Sequence, residues 1–247
     1  MDDFRGAADL LRKSRHVVVL TGAGISVESG IPDFRSKDGL WSKFDPAEYA
    51  TIQSFRANPA KIWRMLLEMD SLLAHAMPNA AHYTLAELER RGVVEEIVTQ
   101  NIDSLHQKAG SRNVTEFHGH ARTLRCDRCR LKYGREDVSL ESIPPLCSCG
   151  NALRPEIVFF GEDIPADAYR RASMAAGKCD LLMIVGTSAT VAPASYLPQL
   201  AKGSGAALLE INPAESELTY RMTDLYIAQP AGKALPALLD ALDVVNH

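Results

Sequence analysis

The sequence predicts an α/β fold, a doubly wound parallel sheet with a small second lobe, on three observations. Apolar runs alternate with helical patterns along most of the chain, and each run gives way to small or polar residues at its carboxyl end. Two long segments interrupt the alternation, and one of them holds four closely spaced cysteines. Strands alternating with helices build parallel sheets covered on both faces. Such sheets bind ligands beyond the carboxyl ends of their strands.

The chain opens with MDDFRGAADLLRK, which places Phe4, Ala7, Ala8, Leu10 and Leu11 on one face of a short helix. Two acids and no apolar segment in this stretch argue against a secretory signal. No apolar run approaches the length of a membrane span, so no membrane association and a cytoplasmic location are expected. Residues 16–20 form the first expected strand, followed by Thr21-Gly22-Ala23-Gly24. Residues 96–99, 181–185, 207–211 and 225–228 are the others, ending in Gln-Asn-Ile-Asp, Gly-Thr-Ser, Asn-Pro-Ala and Gln-Pro-Ala-Gly. Helical patterns at residues 80–91 and 194–202 lie between them. These polar segments all sit on one sheet edge, so five loops are expected to converge on one crevice.

Residues 36–77, with Trp41, Phe44, Tyr49, Phe55 and Trp63, and residues 122–154, with the cysteines, read as insertions. A length of 247 residues suffices for a full core. The hydrophobic share of 46% and charged share of 23% are ordinary for a globular protein. A net charge of -4 argues against nucleic-acid binding through a general basic surface.

The segment TGAGISVESGIPDFR is the most informative. Glycines directly after a strand let backbone amides approach a pyrophosphate, because a Cβ would block both the turn and the approach. Gly22, Gly24 and Gly30 do not fit the usual Gly-x-Gly-x-x-Gly spacing. Pro32-Asp33-Phe34-Arg35 adds a rigid turn, a carboxylate, a ring and a guanidinium, able to hold a ribose and cover a nicotinamide. Gln100-Asn101-Ile102-Asp103 either caps the next helix or contacts nicotinamide and its ribose. His118, before a glycine and shortly ahead of the cysteines, is either structural or a general base, and His120 competes for that role. Residues 158–162, Val-Phe-Phe-Gly-Glu, read as a core strand or as an edge for an extended peptide.

Five cysteines in a chain with no expected signal argue against a disulfide framework. Cys126-x2-Cys129 and Cys147-x-Cys149 suit a tetrahedral thiolate zinc site of the ribbon type, structural because four sulfurs close it. The second pair is one residue shorter than usual, which shortens the chelate. Cys179 reads as a small core residue.

In order along the chain, GAGISVESGIPDFR, TQNIDSLHQKAG, the His-Gly of FHGH, the paired cysteines, VFFGE, GTS and INPAES resemble the sirtuin family of NAD-dependent protein-lysine deacylases. The likeness spans about residues 5 to 240. It implies a Rossmann-like NAD-binding domain from residues 1–35, 78–121 and 155–247. The small lobe would combine a helical insert (36–77) with a zinc-ribbon insert (122–154), and acyl-lysine proteins or peptides would bind in the cleft between the lobes.

Carried over by motif, Gly22, Ala23, Gly24 and Ser26 would lie at the pyrophosphate loop, and Asp33, Phe34 and Arg35 would form the cofactor loop. Gln100, Asn101, Ile102 and Asp103 would hold nicotinamide and its ribose. Gly186, Thr187 and Ser188 would line the phosphate side, while Asn212 and Ala231 would bound the adenosine. Catalysis would use His118 as general base with Asn101 and Asp103. Val158, Phe160 and Gly161 would flank the peptide. NAD would be consumed: the acyl oxygen attacks its anomeric carbon, nicotinamide leaves, and His118 takes a proton from a ribose hydroxyl, giving lysine and O-acyl-ADP-ribose.

Sirtuins that prefer succinyl or malonyl lysine carry a Tyr-x-x-Arg pair on the helical insert. Here that helix reads PAKIWRMLLEM and has no such pair. Met65 and Met69 share a face and are either plain core or the wall of an acetyl or longer apolar acyl pocket. Three rivals remain: a hydride-transferring dehydrogenase, disfavoured by the missing third glycine; a mono-ADP-ribosyltransferase or NAD hydrolase on the same scaffold; and an idle binding module.

Overall fold

The computed structural model describes residues 2–34 and 39–244. Six parallel strands form its centre: β1 (Val17–Thr21), β2 (Val94–Thr99), β3 (Val114–Glu116), β7 (Leu181–Val185), β8 (Ala207–Ile211) and β9 (Leu225–Ile227). Their spatial order is β3-β2-β1-β7-β8-β9, so the sheet is wound outward in both directions from the β1–β7 pair. All five strands expected from apolar runs are present, shifted by two residues at most. The short β3, Val-Thr-Glu, has no apolar run to betray it.

Side-chain alternation splits the core in two. Val17, Val19, Met183, Val185, Leu209 and Ile211 join one buried cluster with helices α1 (Asp2–Lys13), α5 (Ala80–Arg90) and α10 (Ala231–Asp243). Val18, Leu20, Val98, Leu182, Ile184 and Leu208 join the other, under α7 (Ala166–Lys178) and α8 (Tyr196–Gly203). Both faces of β1 and β7 are therefore dry. This is why their sequences, VVVLT and LLMIV, are apolar without alternation. The amino-terminal helix buries Ala7, Ala8 and Leu11, as its pattern predicts. Among the described residues, no helix is long and apolar enough to cross a membrane.

A small lobe stands on the carboxyl edge of the sheet. It contains α2 (Pro46–Tyr49), α3 (Ile52–Ala57) and α4 (Pro59–His75). An antiparallel sheet completes it, with β4 (Gly119–Cys126) between β5 (Lys132–Gly134) and β6 (Leu153–Ile157). A third apolar cluster, with Ile52, Phe55, Ile62, Trp63, Leu124 and Leu153, joins these parts. The helices are capped in sequence: Asp45, Thr51 and Asn58 each accept a backbone N–H, and Pro46 and Pro59 occupy first-turn positions.

The loops following β1 and β7 cross at van der Waals contact. The Gly24 N–H donates to the Gly186 carbonyl at 2.8 Å, and the Gly22 N–H donates to Val185 at 3.1 Å. A Cβ at Gly24 would lie 2.7 Å from the Gly186 Cα, and one at Gly186 would lie 2.3 Å from the Ile25 nitrogen. The glycines are required by this backbone crossing as well as by any ligand. Gly24→Ala is expected to cost about 2 kcal/mol or more, as overpacking does where backbone faces backbone. Urea unfolding of the two proteins measures it.

Candidate active site

A cavity of about 450 Å³ opens where the winding reverses, between β1 and β7, the place where doubly wound sheets bind ligands. Its walls come from the segments after β1, β2, β3, β7 and β8 and from residues 157–162 beyond β6. Gly22, Ala23, Gly24, Ser26, Asp33 and Phe34 line it on the β1 side. Gln100, Asn101, Ile102, Asp103 and His118 face them, and Gly186, Thr187, Ser188 and Asn212 close the far side. Val158, Phe160, Gly161, Met65 and Met69 line the part under the small lobe.

Ala231 stands apart. It is buried in the first core cluster at the start of α10, and Glu28 takes the neighbouring Gly232 N–H at 2.7 Å. Ala231 is not among the residues lining the cavity, and β9 is the sheet edge two strands beyond β7. Arg35 lies outside the described residues.

Behind the lining runs a buried polar chain. The Asn101 side-chain amide donates to the Gly22 carbonyl at 3.1 Å and to the Ser26 hydroxyl at 3.2 Å. Ser26 donates to Asp103 at 2.7 Å, and the other Asp103 oxygen accepts the Leu105 N–H at 2.9 Å. Gln100 donates to Thr187 at 3.0 Å. Asp103 thus holds the backbone at Leu105 and Asn101 braces the β1 loop, and both also line the cavity. Of the three amides in Gly22-Ala23-Gly24, only that of Ala23 has no acceptor among the described residues.

His118 donates from Nδ1 to the Gln100 carbonyl at 3.1 Å, which leaves Nε2 as the basic nitrogen. The buried Phe117 ring packs edge-on against it at 5.5 Å. Burial holds its pKa below the ordinary histidine value, opposed by the bond to Gln100. Gly119 follows at φ +75, and a Cβ there would fall 2.0 Å from the Glu156 carbonyl; only glycine turns the chain from β3 into β4 at this point. His120 is not among the residues lining the cavity.

Two buried histidines went unnoticed in the sequence. His82 and His106 stack at 5.0 Å, and His106 Nε2 meets the Thr21 hydroxyl at 3.0 Å. Burial pushes His82 down to about 4, against the pull of Asp103, and His106 down to about 3. Trp41 and Leu73 also line the cavity. Trp41 stacks on Phe34 at 5.1 Å and approaches Phe160 at 6.5 Å. Its aromatic insert was legible, its place was not.

In the small lobe, the sulfurs of Cys126, Cys129, Cys147 and Cys149 lie within 4.8 Å of one another. The Cys126–Cys149 and Cys129–Cys147 separations are 3.6 and 3.4 Å. A zinc tetrathiolate has sulfur–sulfur edges of about 3.8 Å, so the set fits zinc. The short second pair converges because the chain turns tightly: the Gly150 N–H donates to Cys147, and Cys147 pairs with Asn151. The Cys149 N–H and the Tyr133 hydroxyl draw the Cys147 thiol down, while its neighbours hold the Cys129 thiol up, so the four crowded sulfurs share their protons until a metal displaces them. Cys179 is buried beneath α7, as expected of a core residue.

A family model described as the Sir2 family matches residues 22–193. This chain belongs to the Sir2 family. It is 47% identical over 234 residues to "NAD-dependent protein deacylase 2" of Pyrobaculum aerophilum, covering 94% of this chain and 93% of that protein. A Sir2 structure with a p53 peptide and NAD+ superposes with a TM-score of 0.86 at 39% identity, covering 94% and 95% of the two chains. Another Sir2 structure, with a deacetylated p53 peptide and 3'-O-acetyl ADP ribose, gives 0.92 at 38% identity, covering 96% and 98%. The Rossmann-like sheet and the cysteine-bearing small lobe are the Sir2 architecture.

One zinc per chain is expected by metal analysis of the purified protein. Cys147→Ser should lose it and lower the melting temperature by several degrees.

Proposed function

We propose that this chain is an NAD-dependent protein-lysine deacylase, foremost a deacetylase, that yields lysine, nicotinamide and O-acyl-ADP-ribose. The observation that carries this reading is the position of His118. Its basic nitrogen belongs to a cavity whose opposite wall is the Gly22-Ala23-Gly24 loop and whose roof is an open backbone edge.

NAD would lie along the β1 and β7 loops, held by Gly22, Ala23, Gly24, Ser26, Asp33, Phe34, Gly186, Thr187 and Ser188. Arg35 would complete the cofactor loop, and Asn212 and Ala231 would bound the adenosine end, Ala231 through its backbone. When bound, NAD supplies an electrophilic anomeric carbon and a neutral leaving group. Gln100, Asn101, Ile102 and Asp103 orient the ribose and nicotinamide, and their prior hydrogen bonds limit rearrangement on binding. His118 accepts the proton of a ribose hydroxyl at Nε2. Phe34 excludes water, which suppresses plain NAD hydrolysis.

The peptide would lie against residues 158–161. The Val158 carbonyl and the Gly161 N–H have no partner among the described residues, as strand addition requires. Both backbone groups of Phe160 are taken by Ala50 and Ile52, so Phe160 offers its ring alone. The acyl chain would meet Met65, Leu66, Met69 and Leu73, a wall that is apolar among the described residues, and Arg135 beside it is paired with Asp70.

We take the chain to divide into an NAD-binding domain (1–35, 78–121, 155–247) and a lobe from residues 36–77 and 122–154; two apolar clusters lie on the faces of the large sheet and a third joins the lobe, with Phe159 reaching into it from the larger part. The peptide partners would be acyl-lysine proteins, with no direct nucleic-acid or membrane contact, in the cytoplasm.

The test is incubation with NAD and matched acetyl and succinyl peptides, followed by mass spectrometry. O-acetyl-ADP-ribose is expected, with acetyl preferred over succinyl and His118→Ala lowering kcat by about 10²-fold or more. Because His118 works neutral and burial depresses its pKa, kcat/KM should fall on the acid side with its half-point below 6.5, the ordinary histidine value. Free ADP-ribose without deacylation would favour the hydrolase or transferase reading.

A further inference from the structure

The side chain of Arg154 is completely buried, a rare place for arginine. It donates to both oxygens of Glu162 at 2.7 and 2.6 Å and to the Ile157 carbonyl at 2.7 Å. Its guanidinium lies 4.7 Å from the centre of the Phe159 ring and 5.7 Å from that of Phe55 in α3. Asp127, between the first two cysteines, approaches Arg154 at 3.6 Å, and Arg125 approaches Glu162 at the same distance. Glu162 in turn accepts the Phe159 N–H at 3.0 Å. Burial alone would raise the Glu162 carboxyl; the bonds from Arg154 bring it below its ordinary value.

One cation therefore fixes β6, α3, the first cysteine pair and both ends of residues 157–162. That segment carries the Val158 carbonyl and the Gly161 N–H, backbone groups of the cavity roof without a partner among the described residues. An apolar side chain could fill the same space without desolvating two charges. What the ion pair adds is direction: a bidentate fork has one geometry, and it sets where the segment's free groups point.

We propose that Arg154 and Glu162 are positioning residues for the substrate peptide, holding residues 158–161 in the shape that pairs with an extended acyl-lysine backbone. This rests on the deacylase reading. Neither residue needs to touch NAD or the reacting atoms, so their loss should separate peptide binding from cofactor binding.

The experiment varies peptide and NAD separately in steady-state kinetics of wild type, Glu162→Gln and Arg154→Met, and measures ADP-ribose binding by calorimetry. Glu162→Gln keeps the shape and removes the charge. It is expected to raise the peptide KM by roughly tenfold, with NAD KM, kcat and ADP-ribose affinity changed by less than about twofold. Arg154→Met should do the same more strongly; if it fails to fold, Glu162→Gln decides alone. An unmoved peptide KM in Glu162→Gln overturns the proposal, and so does a parallel loss of kcat and ADP-ribose affinity, which would mark a general structural role. A wild type that makes no O-acyl-ADP-ribose from any acyl peptide removes the deacylase reading and the proposal together. An active wild type with an unchanged variant removes the proposal alone.

Discussion

Gly24 and Gly186 meet backbone to backbone where the loops after β1 and β7 cross, and the rest of the site is hung from that crossing. The Gly24 N–H bonded to Gly186 fixes the distance between the two halves of the sheet at the point where the winding reverses. With that distance set, the Gly22 carbonyl stands where Asn101 can reach it, Ser26 stands between Asn101 and Asp103, and Gln100 reaches across to Thr187. Each of these bonds joins two different strand ends. A shift of either loop would break several at once, and this coupling makes the lining rigid before any ligand arrives.

The electrostatics follow from the same enclosure. Buried histidines at positions 82, 106 and 118 are all pushed toward their neutral forms by desolvation. A neutral His118 can take a proton. A neutral His82–His106 pair packs behind the Thr21 hydroxyl without adding positive charge next to a site that would receive a cationic nicotinamide ring. By contrast, the buried Arg154 keeps its charge inside a network with Glu162, Asp127 and Arg125. Burial thus acts in opposite ways on these groups: it removes the charge of the histidines and locks the charge of an arginine that is paired.

The strands and the loops that end them were legible in the sequence because a strand buried on both faces must be apolar throughout, as in LLMIV, and a ligand-binding edge must then turn polar at once. The paired cysteines were legible because metal ligation requires a spacing. Other features leave no such trace. The strand Val114–Glu116 is three residues long and shows no periodicity. Pro155 inside β6 argues against a strand, yet β6 is an edge of its small sheet, where proline is tolerated. A single arginine in LRPEI gives no hint of complete burial, which depends on Glu162, Phe55 and Phe159 arriving from elsewhere. Ser26 stood out only through a likeness of motif, since its role rests on bonds to residues about 75 positions away. Ala231, named through the same likeness, is not among the residues that line the cavity and sits at the start of α10 beyond the edge strand.

The chain has two tryptophans, and they sit in contrasting surroundings. Trp63 is buried, with its indole N–H given to the Leu153 carbonyl at 2.7 Å. Trp41 is half-buried on the cavity wall between Phe34 and Phe160. Excited at the indole band, the protein therefore emits from one buried source behind the acyl wall and one that borders both the cofactor loop and the peptide segment. Occupation of the cofactor or peptide side changes the polarity around Trp41, which stands on both. The molecule carries an intrinsic optical reporter of its own cleft, placed there by the same ring contacts that close the wall.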